Sequence, residues 1–297
     1  MSKTIFVTVS DDRPFFLKTP ESTFGKRPKD GKFGQYQNII REHLDSNPEF
    51  GITDQYHLTH DEFSKTDFYS KNYDFLSDPD PDNNGRAFKP YAIREALRKI
   101  NDGDYLIYND CSPTWWTHID ANPTQKIDKK RYNLELAKVL CKSNGGILTA
   151  YGVAGHARKA INDISFNEHT HKNYTLNSCM DTMGMREYEN CVQHMSTLMV
   201  LHKNNMVVNF VDEWLKWNLV PECASLAING SYENWLTDQR NGKLGHRHDQ
   251  SISGLLVNKL CPNLIKTYGV PGVPTFNFLA VCDVKHKYQF ANSVLHK

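Results

Sequence analysis

The sequence has no long hydrophobic run and no excess of charge of either sign. Of its 297 residues, 35 are Lys or Arg and 34 are Asp or Glu, and five like charges never occur in a row. This balance disfavours a basic face for nucleic acid and a polybasic membrane anchor. No window approaches the roughly 20 apolar residues of a membrane-spanning helix, and the N-terminal run Ile5 to Val7 is shorter than a signal-peptide core. We therefore expect a cytoplasmic protein with no transmembrane segment and no nucleic-acid partner.

Clustered cysteines are also missing. The seven cysteines are widely scattered and include no C-x-x-C pair, whereas disulfide frameworks and zinc ribbons bring their cysteines together in sequence. The pattern therefore favours reduced cytosolic thiols. Cys111 has no histidine beside it and belongs to no thiol motif, so a nucleophilic cysteine is disfavoured there as well.

The first 150 residues contain alternating strand and helix signals. Predicted strands cover Thr4–Val9, Tyr105–Tyr108 and Ile147–Tyr151, and predicted helices cover Gln35–Leu44, a segment that starts near Pro90, and Tyr132–Lys142. A first strand that ends in a polar turn is typical of α/β nucleotide-binding folds. Residues 60–86 shift to Asp, Ser, Asn and Pro, and this composition predicts a surface loop.

The second half has fewer but clear elements. Ser196 to His202 is a predicted strand, and a helix with the apolar residues Val207, Phe210 and Trp214 on one face follows it. We assign Trp214 to the core. No internal repeat or low-complexity linker divides the chain, which favours a single domain over 1–297. Its two functional halves would be about 1–150 and about 151–297.

Asp110 is the most informative carboxylate. It directly follows the predicted strand that ends at Tyr108 and Asn109, and open α/β sheets place ligand-binding groups at this end of a strand. A carboxylate there can hold a hard divalent cation, and the hydroxyl of Ser112 can add a second oxygen. The alternative is that Asp110 only satisfies the backbone of the turn.

Lys89 and Arg86 lie where a helix begins, just before the Asp110 strand. Cationic side chains in such a position can bind phosphate groups. The alternative for each of them is a solvated surface charge. Their place directly before the strand that leads to Asp110 favours the phosphate-binding interpretation.

The segment from His246 to Gln250 forms a second constellation at the start of a predicted helix. A His-x-His pair is a common metal geometry, although Arg247 between the two histidines disfavours a dedicated zinc site. Asp249 either caps the free helix N–H groups or stays ionised to deprotonate a hydroxyl. Gln250 can hydrogen-bond a hydroxyl group.

Five segments in this order resemble nucleotide-sugar-dependent glycosyltransferases of the GT-A type, in particular viral and microbial sugar transferases. The resembling segments are Ile5–Val9, Phe88–Tyr91, Gly103–Ser112, Phe210–Leu215 and His246–Ser251. The third is similar to the segment that carries the D-x-D metal motif of that family, with Ser112 in place of the second acid. The resemblance implies a GT-A-like (Rossmann-like) α/β fold, in which helices flank a mixed, mainly parallel sheet.

The resemblance also implies roles for the candidate residues. Thr8, Ser10 and Asp11 would face the base and ribose, Lys89 the diphosphate, and Asp249 the anomeric carbon. The catalytic candidates are Asp249 and Gln250, the candidate cofactor-binding residues are Thr8, Ser10, Asp11, Arg86, Lys89, Asn109 and Asp110, and the candidate metal ligands are Asp110, Ser112 and His248. The cation would be Mn²⁺ or Mg²⁺, and the missing second acid leaves open an enzyme that works without metal.

The implied reaction transfers a sugar from a UDP- or GDP-linked donor to a hydroxyl of a glycan or glycoconjugate, with either inversion or retention. Two alternatives stay open at this point. One is a metal-dependent hydrolase that uses Asp110, His246 and His248. The other is a protein that binds nucleotide sugars without turnover, which the single carboxylate of the D-x-D-like segment permits.

Overall fold

A computed structural model describes residues 2–12, 33–78, 86–111, 134–135, 137–151, 170–224, 246 and 248–262. The predictions for Ser112 and Arg247 lie outside these residues, as does the start of the helix predicted at Tyr132. Within them the structure is α/β, with helices on a mixed, mostly parallel sheet.

The sheet of the described residues has five strands in the order β2-β1-β3-β5-β4. The strands are β1 (Thr4–Ser10), β2 (Asp54–Thr59), β3 (Tyr105–Asn109), β4 (Ile147–Tyr151) and β5 (His194–His202). β1 pairs in parallel with both β2 and β3, while β5 runs antiparallel between β3 and β4. The expectation of a mixed, mainly parallel sheet is therefore confirmed.

Helices surround this sheet. They are α1 (Phe33–Asp45), α2 (His60–Ser64), α3 (Asp67–Lys71), α4 (Tyr73–Leu76), α5 (Phe88–Arg98), α6 (His171–Tyr174), α7 (Asn177–Thr182), α8 (Asn205–Trp217), α9 (Pro221–Ala224) and α10 (Asp249–Leu260). Residues 137–143 are also helical, and 3₁₀ turns occupy Pro48–Phe50 and Arg186–Tyr188. Helix α5 begins two residues before Pro90, which still lies in the first turn, where its missing N–H has no intrahelical partner to lose.

The predictions for the central strands are confirmed. Every residue of β1 and β3 is buried, as expected for continuous apolar runs covered on both faces. The edge strand β2 was not predicted, because its sequence DQYHLT is polar and only Leu58 is buried. Pairing with β1, rather than its own hydrophobicity, makes this segment a strand.

The prediction of a surface loop over residues 60–86 is wrong for its described part, because residues 60–76 form α2, α3 and α4. Thr59 and Glu62 make a reciprocal capping box at the start of α2. Phe63 then packs against Tyr91 of α5, with the ring centroids 5.1 Å apart. Local caps and aromatic contacts thus order a segment whose overall composition is polar.

One face of the sheet carries α5, α8 and α10, since α5 contacts β1 and β3, α10 contacts β5, and α8 packs against both helices. Trp214 of α8 is completely buried there, which confirms its assignment to the core. Helix α10 comes unusually close to β5 at Gly254. A Cβ at that position would lie 2.9 Å from His171 Cε1 and 3.2 Å from the backbone nitrogen of His194.

Candidate functional site

Asp110 lies at the carboxyl end of the central parallel strands, as predicted. Its backbone N–H donates to the carbonyl of Thr197 on β5 at 2.8 Å, which continues the β3–β5 pairing by one residue. Its carboxylate oxygen Oδ1 accepts a hydrogen bond from the Tyr108 hydroxyl at 2.6 Å. The same oxygen is 3.1 Å from Lys89 Nζ, and the Asp110 side chain is 29% exposed. Asp110 is therefore held by the protein and still open to solvent.

Asp249 is the first residue of α10, and its side chain is only 4% exposed. Its Oδ2 lies 2.8 Å from Lys89 Nζ and accepts a hydrogen bond from Ser196 Oγ at 2.9 Å. Its backbone carbonyl accepts from Trp214 Nε1 at 2.8 Å. The N-cap position belongs to His248, and no side-chain cap hydrogen bond is formed. The capping interpretation of Asp249 is therefore wrong, and its carboxylate serves the ion pair instead.

Lys89 joins the two carboxylates. Its buried ammonium group contacts Asp110 Oδ1, Asp249 Oδ2 and, at 3.2 Å, Ser196 Oγ. An ammonium has three N–H donors, so the protein uses all of them. The alternative of a solvated surface charge is therefore wrong for Lys89. We call Lys89, Tyr108, Asp110, Ser196 and Asp249 the Lys89 cluster.

Each carboxylate of the Lys89 cluster keeps one oxygen that receives no hydrogen bond from the described part of the chain. Asp110 uses Oδ1 for Tyr108 and Lys89, and Asp249 uses Oδ2 for Lys89 and Ser196. Asp110 Oδ2 and Asp249 Oδ1 make no hydrogen bond with any described residue. These two oxygens are the acceptors that the cluster can offer to a ligand.

The charges of the cluster stabilise one another. Desolvation on burial acts to raise the pKa of Asp249, but Lys89, Arg86 and the Ser196 hydrogen bond outweigh it and hold the pKa below its ordinary 3.8. For Lys89, desolvation acts to lower the pKa, and the attraction of Asp110 and Asp249 raises it above 10.5. At neutral pH Lys89 is therefore charged and Asp249 is ionised.

The phenol of Tyr108, within the cluster, and the thiol of Cys111, next to Asp110 in sequence, stay protonated. Burial, with the charge of Asp110, raises the pKa of Tyr108 well above 10.0, so its hydroxyl remains a hydrogen-bond donor. The same two causes raise the pKa of the Cys111 thiol. Since the thiolate is the reactive form of cysteine, this environment agrees with the expectation that Cys111 is not a nucleophile.

Thr8 and Asn109 lie side by side, but on the other face of the sheet from Tyr108. The parallel register pairs Val7 with Tyr108, so Thr8 and Asn109 form the next pair at the carboxyl ends of β1 and β3. Because side chains alternate along a strand, both face away from the Lys89 cluster. Thr8 Oγ1 and Asn109 Nδ2 are buried and have no hydrogen-bond partner among the described residues. They are polar groups at the carboxyl ends of the parallel strands, outside the cluster itself.

The other two residues predicted to face a nucleotide follow Thr8. Ser10 donates from Oγ to Gln37 Oε1 of α1 at 3.1 Å, so its hydroxyl ties α1 to β1. Gln37 also donates from Nε2 to the carbonyl of Thr8 at 3.2 Å. Asp11 is buried at the end of β1. Gln37 was not predicted, since a glutamine inside a helical pattern carries no signal of its own.

Arg86 and His248 precede the two helices that supply the cluster. Among the described residues, these are the non-glycine residues with positive φ, 54° at Arg86 and 46° at His248. Each stands just before α5 or α10, which carry Lys89 and Asp249. Unusual backbone conformations of this kind cluster at functional sites. The charge of Arg86 also contributes to the low pKa of Asp249.

The two histidines predicted as metal ligands are engaged by backbone groups. His246 Nε2 lies 2.8 Å from the carbonyl of Cys223, to which it must donate, and His246 Nδ1 accepts from the N–H of Leu176 at 3.2 Å. No ring lone pair of His246 is left for a metal ion, which disfavours the hydrolase alternative. His248 Nδ1 donates to the carbonyl of Ala224 at 3.0 Å.

The Gln250 side chain belongs to a second set of hydrogen-bonded polar residues, next to the Lys89 cluster. Its Nε2 donates to Gln193 Oε1 at 3.0 Å, and Gln193 Nε2 in turn donates to Ser251 Oγ at 3.0 Å. Asn258 of α10 contacts His171 Nε2 at 3.1 Å and His194 Nε2 at 3.3 Å. We call these buried neutral residues the amide–imidazole network; its members are His171, Gln193, His194, Gln250, Ser251 and Asn258.

The chain matches no protein-family model, no curated protein and no solved structure. In the described part of the chain, no helix is long and apolar enough to cross a membrane. The same residues include no group of three or more His, Cys, Asp or Glu side chains placed to hold a metal ion. The Lys89 cluster is therefore the observation from which a function can be inferred.

Proposed function

We propose that the chain is a glycosyltransferase with a GT-A-like fold that moves a sugar from a UDP- or GDP-linked donor to a hydroxyl of a glycan or glycoconjugate. The observation that carries this proposal is the Lys89 cluster. Asp110 and Asp249 come from distant parts of the sequence and share one ammonium group at the carboxyl end of β3. Ligands of open α/β sheets bind at this edge.

Asp249 is the proposed base. It is ionised and its Oδ1 has no hydrogen bond within the described residues, so that oxygen can accept the proton of an acceptor hydroxyl. As the acceptor oxygen bonds to the anomeric carbon, the bond from that carbon to the diphosphate breaks and the diphosphate leaves with the electron pair. A direct displacement of this kind inverts the anomeric configuration. Gln250 is committed to Gln193 and would position Asp249 rather than contact the acceptor.

The diphosphate contact is proposed for Arg86 more than for Lys89. The three N–H groups of Lys89 are already used by Asp110, Asp249 and Ser196. Arg86 is close enough for its charge to act on Asp249. A guanidinium can bind two phosphate oxygens at once, which suits a pyrophosphate group.

The divalent cation is the part of the proposal with the fewest protein ligands. Asp110 Oδ2 is a carboxylate oxygen without a hydrogen bond among the described residues, and His248 directly precedes Asp249. Asp110, with His248 and Ser112, would hold Mn²⁺ or Mg²⁺. When bound, such a cation neutralises charge on a departing diphosphate.

Calorimetry with a panel of UDP- and GDP-sugars, with and without Mn²⁺ or Mg²⁺, tests the donor site. We expect Asp110→Ala to weaken donor binding and abolish any metal response. The matched control is Asp61→Asn, which removes a carboxylate of an exposed surface pair with Lys65 and should leave donor binding unchanged. Failure of every nucleotide sugar to bind the wild-type chain would contradict the proposal.

Turnover separates transfer from binding alone. Asp249→Asn should retain donor affinity but lose sugar transfer by about 10²- to 10⁴-fold, the usual contribution of a general base. If the wild-type chain binds the donor but neither transfers the sugar nor slowly hydrolyses the donor, the non-catalytic alternative is favoured instead. An Asp249→Asn variant that transfers sugar at the wild-type rate would remove Asp249 from the mechanism.

A further inference from the structure

The side chain of Ser196 lies on the face of the sheet opposite to the one that the alternation of side chains along β5 predicts. Leu198 pairs with Asn109, and the ring of His202 packs on the ring of Tyr105 at 4.7 Å. Both therefore lie on the face opposite the Lys89 cluster, and strict alternation would put Ser196 there too. Instead its Oγ is 3.2 Å from Lys89 Nζ and 2.9 Å from Asp249 Oδ2.

The cause is an irregularity in the pairing of β4 with β5. Thr149 pairs with Met199, but the next residue, Ala150, pairs with Met195. The three residues 196–198 are left without partners on β4. An odd number of unpaired residues reverses the alternation of side chains, and bulges of this kind occur next to active sites, where they redirect a side chain.

The direction of the Ser196 hydrogen bonds follows from the chemistry of its partners. Lys89 can only donate, so Ser196 Oγ accepts from Nζ. The single hydroxyl hydrogen of Ser196 must then go to Asp249, whose carboxylate accepts it at Oδ2. The single hydrogen of the Ser196 hydroxyl is thus used, and this hydrogen bond orients the Asp249 carboxylate.

We propose that Ser196 is a positioning residue of the candidate site, turned toward α10 by the bulge in β5 so that its hydroxyl occupies Asp249 Oδ2 and leaves Oδ1 for the acceptor hydroxyl. This inference rests on the proposed glycosyltransferase function. Without the Ser196 hydrogen bond, Lys89 would be the remaining side-chain contact of this carboxylate among the described residues, and the carboxylate could rotate and turn its other oxygen away from the acceptor hydroxyl.

A double-mutant cycle tests the hydrogen bond without any ligand. The free energies of unfolding of wild type, Ser196→Ala, Asp249→Asn and the double variant are measured by urea denaturation. We expect the two substitutions to be non-additive by about ten- to hundredfold in the unfolding constant, the range for a hydrogen bond to a charged group. The control is Ser253→Ala, a buried α10 serine that donates to the carbonyl of Gln250. Its effect should add to that of Asp249→Asn, and additivity for Ser196 as well would overturn the proposal.

Kinetics then separate positioning from a structural role. Ser196→Ala should lower kcat by about ten- to hundredfold, with KM within about twofold. Ser196→Thr keeps the hydroxyl and should recover part of the lost kcat. A Ser196→Ala variant that transfers sugar with unchanged kcat would refute the inference.

The two proposals fail in different ways. If the wild-type chain transfers no sugar, the glycosyltransferase function is rejected, while coupling in the cycle would still support Ser196 as the residue that positions Asp249. If transfer occurs and the kcat of Ser196→Ala is unchanged, the function stands and the positioning role is rejected.

Discussion

The start and the body of α10 pack against two different kinds of buried polar residue. At the start, Asp249 belongs to the Lys89 cluster, which contains the buried charged pair of Lys89 and Asp249. Along the body, Ser251 and Asn258 belong to the amide–imidazole network, whose members are neutral. Neutral hydrogen bonds attach a helix to a sheet at little cost, whereas buried ion pairs seldom stabilise a fold relative to apolar packing. Buried charges that are present despite this energetic cost indicate a functional site. The neutral network indicates a role in packing α10 against the sheet.

Lowering the pH should destabilise the amide–imidazole network before it destabilises the Lys89 cluster. This is the largest effect on folding stability that we expect. Burial lowers the pKa of His171 to about 3 and that of His194 to about 4, against 6.5 for an exposed histidine. Between pH 6.5 and about 4 the unfolded chain therefore binds protons that the folded chain does not, and stability falls as pH falls. We expect a loss of up to about 1.4 kcal/mol per pH unit for each histidine, measured by urea denaturation.

The Lys89 cluster should not contribute in that range. The folded-state pKa of Asp249 lies below 3.8, so the stability that its ionisation provides is present above 3.8 and is lost only at lower pH. A stability profile that stays level between pH 6.5 and 4 would contradict the assignment of neutral, buried histidines to the network.

Lys89→Met should cause the next largest effect. Within the described residues it leaves the buried Asp249 carboxylate with Ser196 as its remaining side-chain contact, and removing one member of a buried ion pair costs about 3–5 kcal/mol. The measurement is the free energy of unfolding at neutral pH. Lys65→Met is the matched control, because the Lys65 and Asp61 side chains are 70% and 75% exposed and such pairs contribute about 0.2–1 kcal/mol. Equal small losses in both variants would show that the Lys89 cluster is not electrostatically coupled.

Asn258→Ala should destabilise the fold by about 2–3 kcal/mol, because it leaves buried partners unsatisfied. Those partners are His171 Nε2, His194 Nε2 and the carbonyl of Val192. Asn177→Ala, which removes an exposed contact to Arg186, should cost less than about 0.5 kcal/mol. Donor affinity per folded molecule should be unchanged in both variants, and a specific loss of donor binding in Asn258→Ala would make the network part of the site.

Gly254→Ala should have the smallest effect. Alanine favours a helix over glycine by about 1 kcal/mol, but its Cβ would lie 2.9 Å from His171 Cε1 and 3.2 Å from the backbone nitrogen of His194. Overpacking of this kind costs about 1–3 kcal/mol, so a net loss of about 1 kcal/mol is expected in urea denaturation. A stabilised variant would mean that α10 lies farther from β5.

The central strands and the ends of β3 and α10 were predictable because their signals are local. β1 and β3 are short apolar runs bounded by polar turns, and Asp110 is adjacent to one of them in sequence. β2 and the short helices over 60–76 were not predictable from hydrophobicity. β2 depends on pairing with β1, and Phe63 and Tyr69 become core residues only by packing against α5 and each other.

The residues of the candidate site likewise divide into those that have a local sequence signal and those that have none. Lys89, Asp110 and Asp249 were singled out from their positions relative to a strand or a helix start. Ser196 was not, because a serine within a strand pattern has no distinguishing signal and its orientation depends on the bulge against β4. Ser10 and Gln250 also make contacts that the sequence did not predict, since Gln37 and Gln193 are far from them in sequence and close in space.

The order of residues along the chain was enough to determine the alternation of strands and helices and to place one acid at the end of a strand and another at the start of a helix. Only the tertiary structure decided that a single lysine lies between those acids and that a serine on an antiparallel strand completes the contact. The physical reason is that hydrophobic periodicity and turn chemistry act over a few residues. Ion pairing and the reversal of a strand's alternation depend instead on segments that meet only when the sheet and α10 come together.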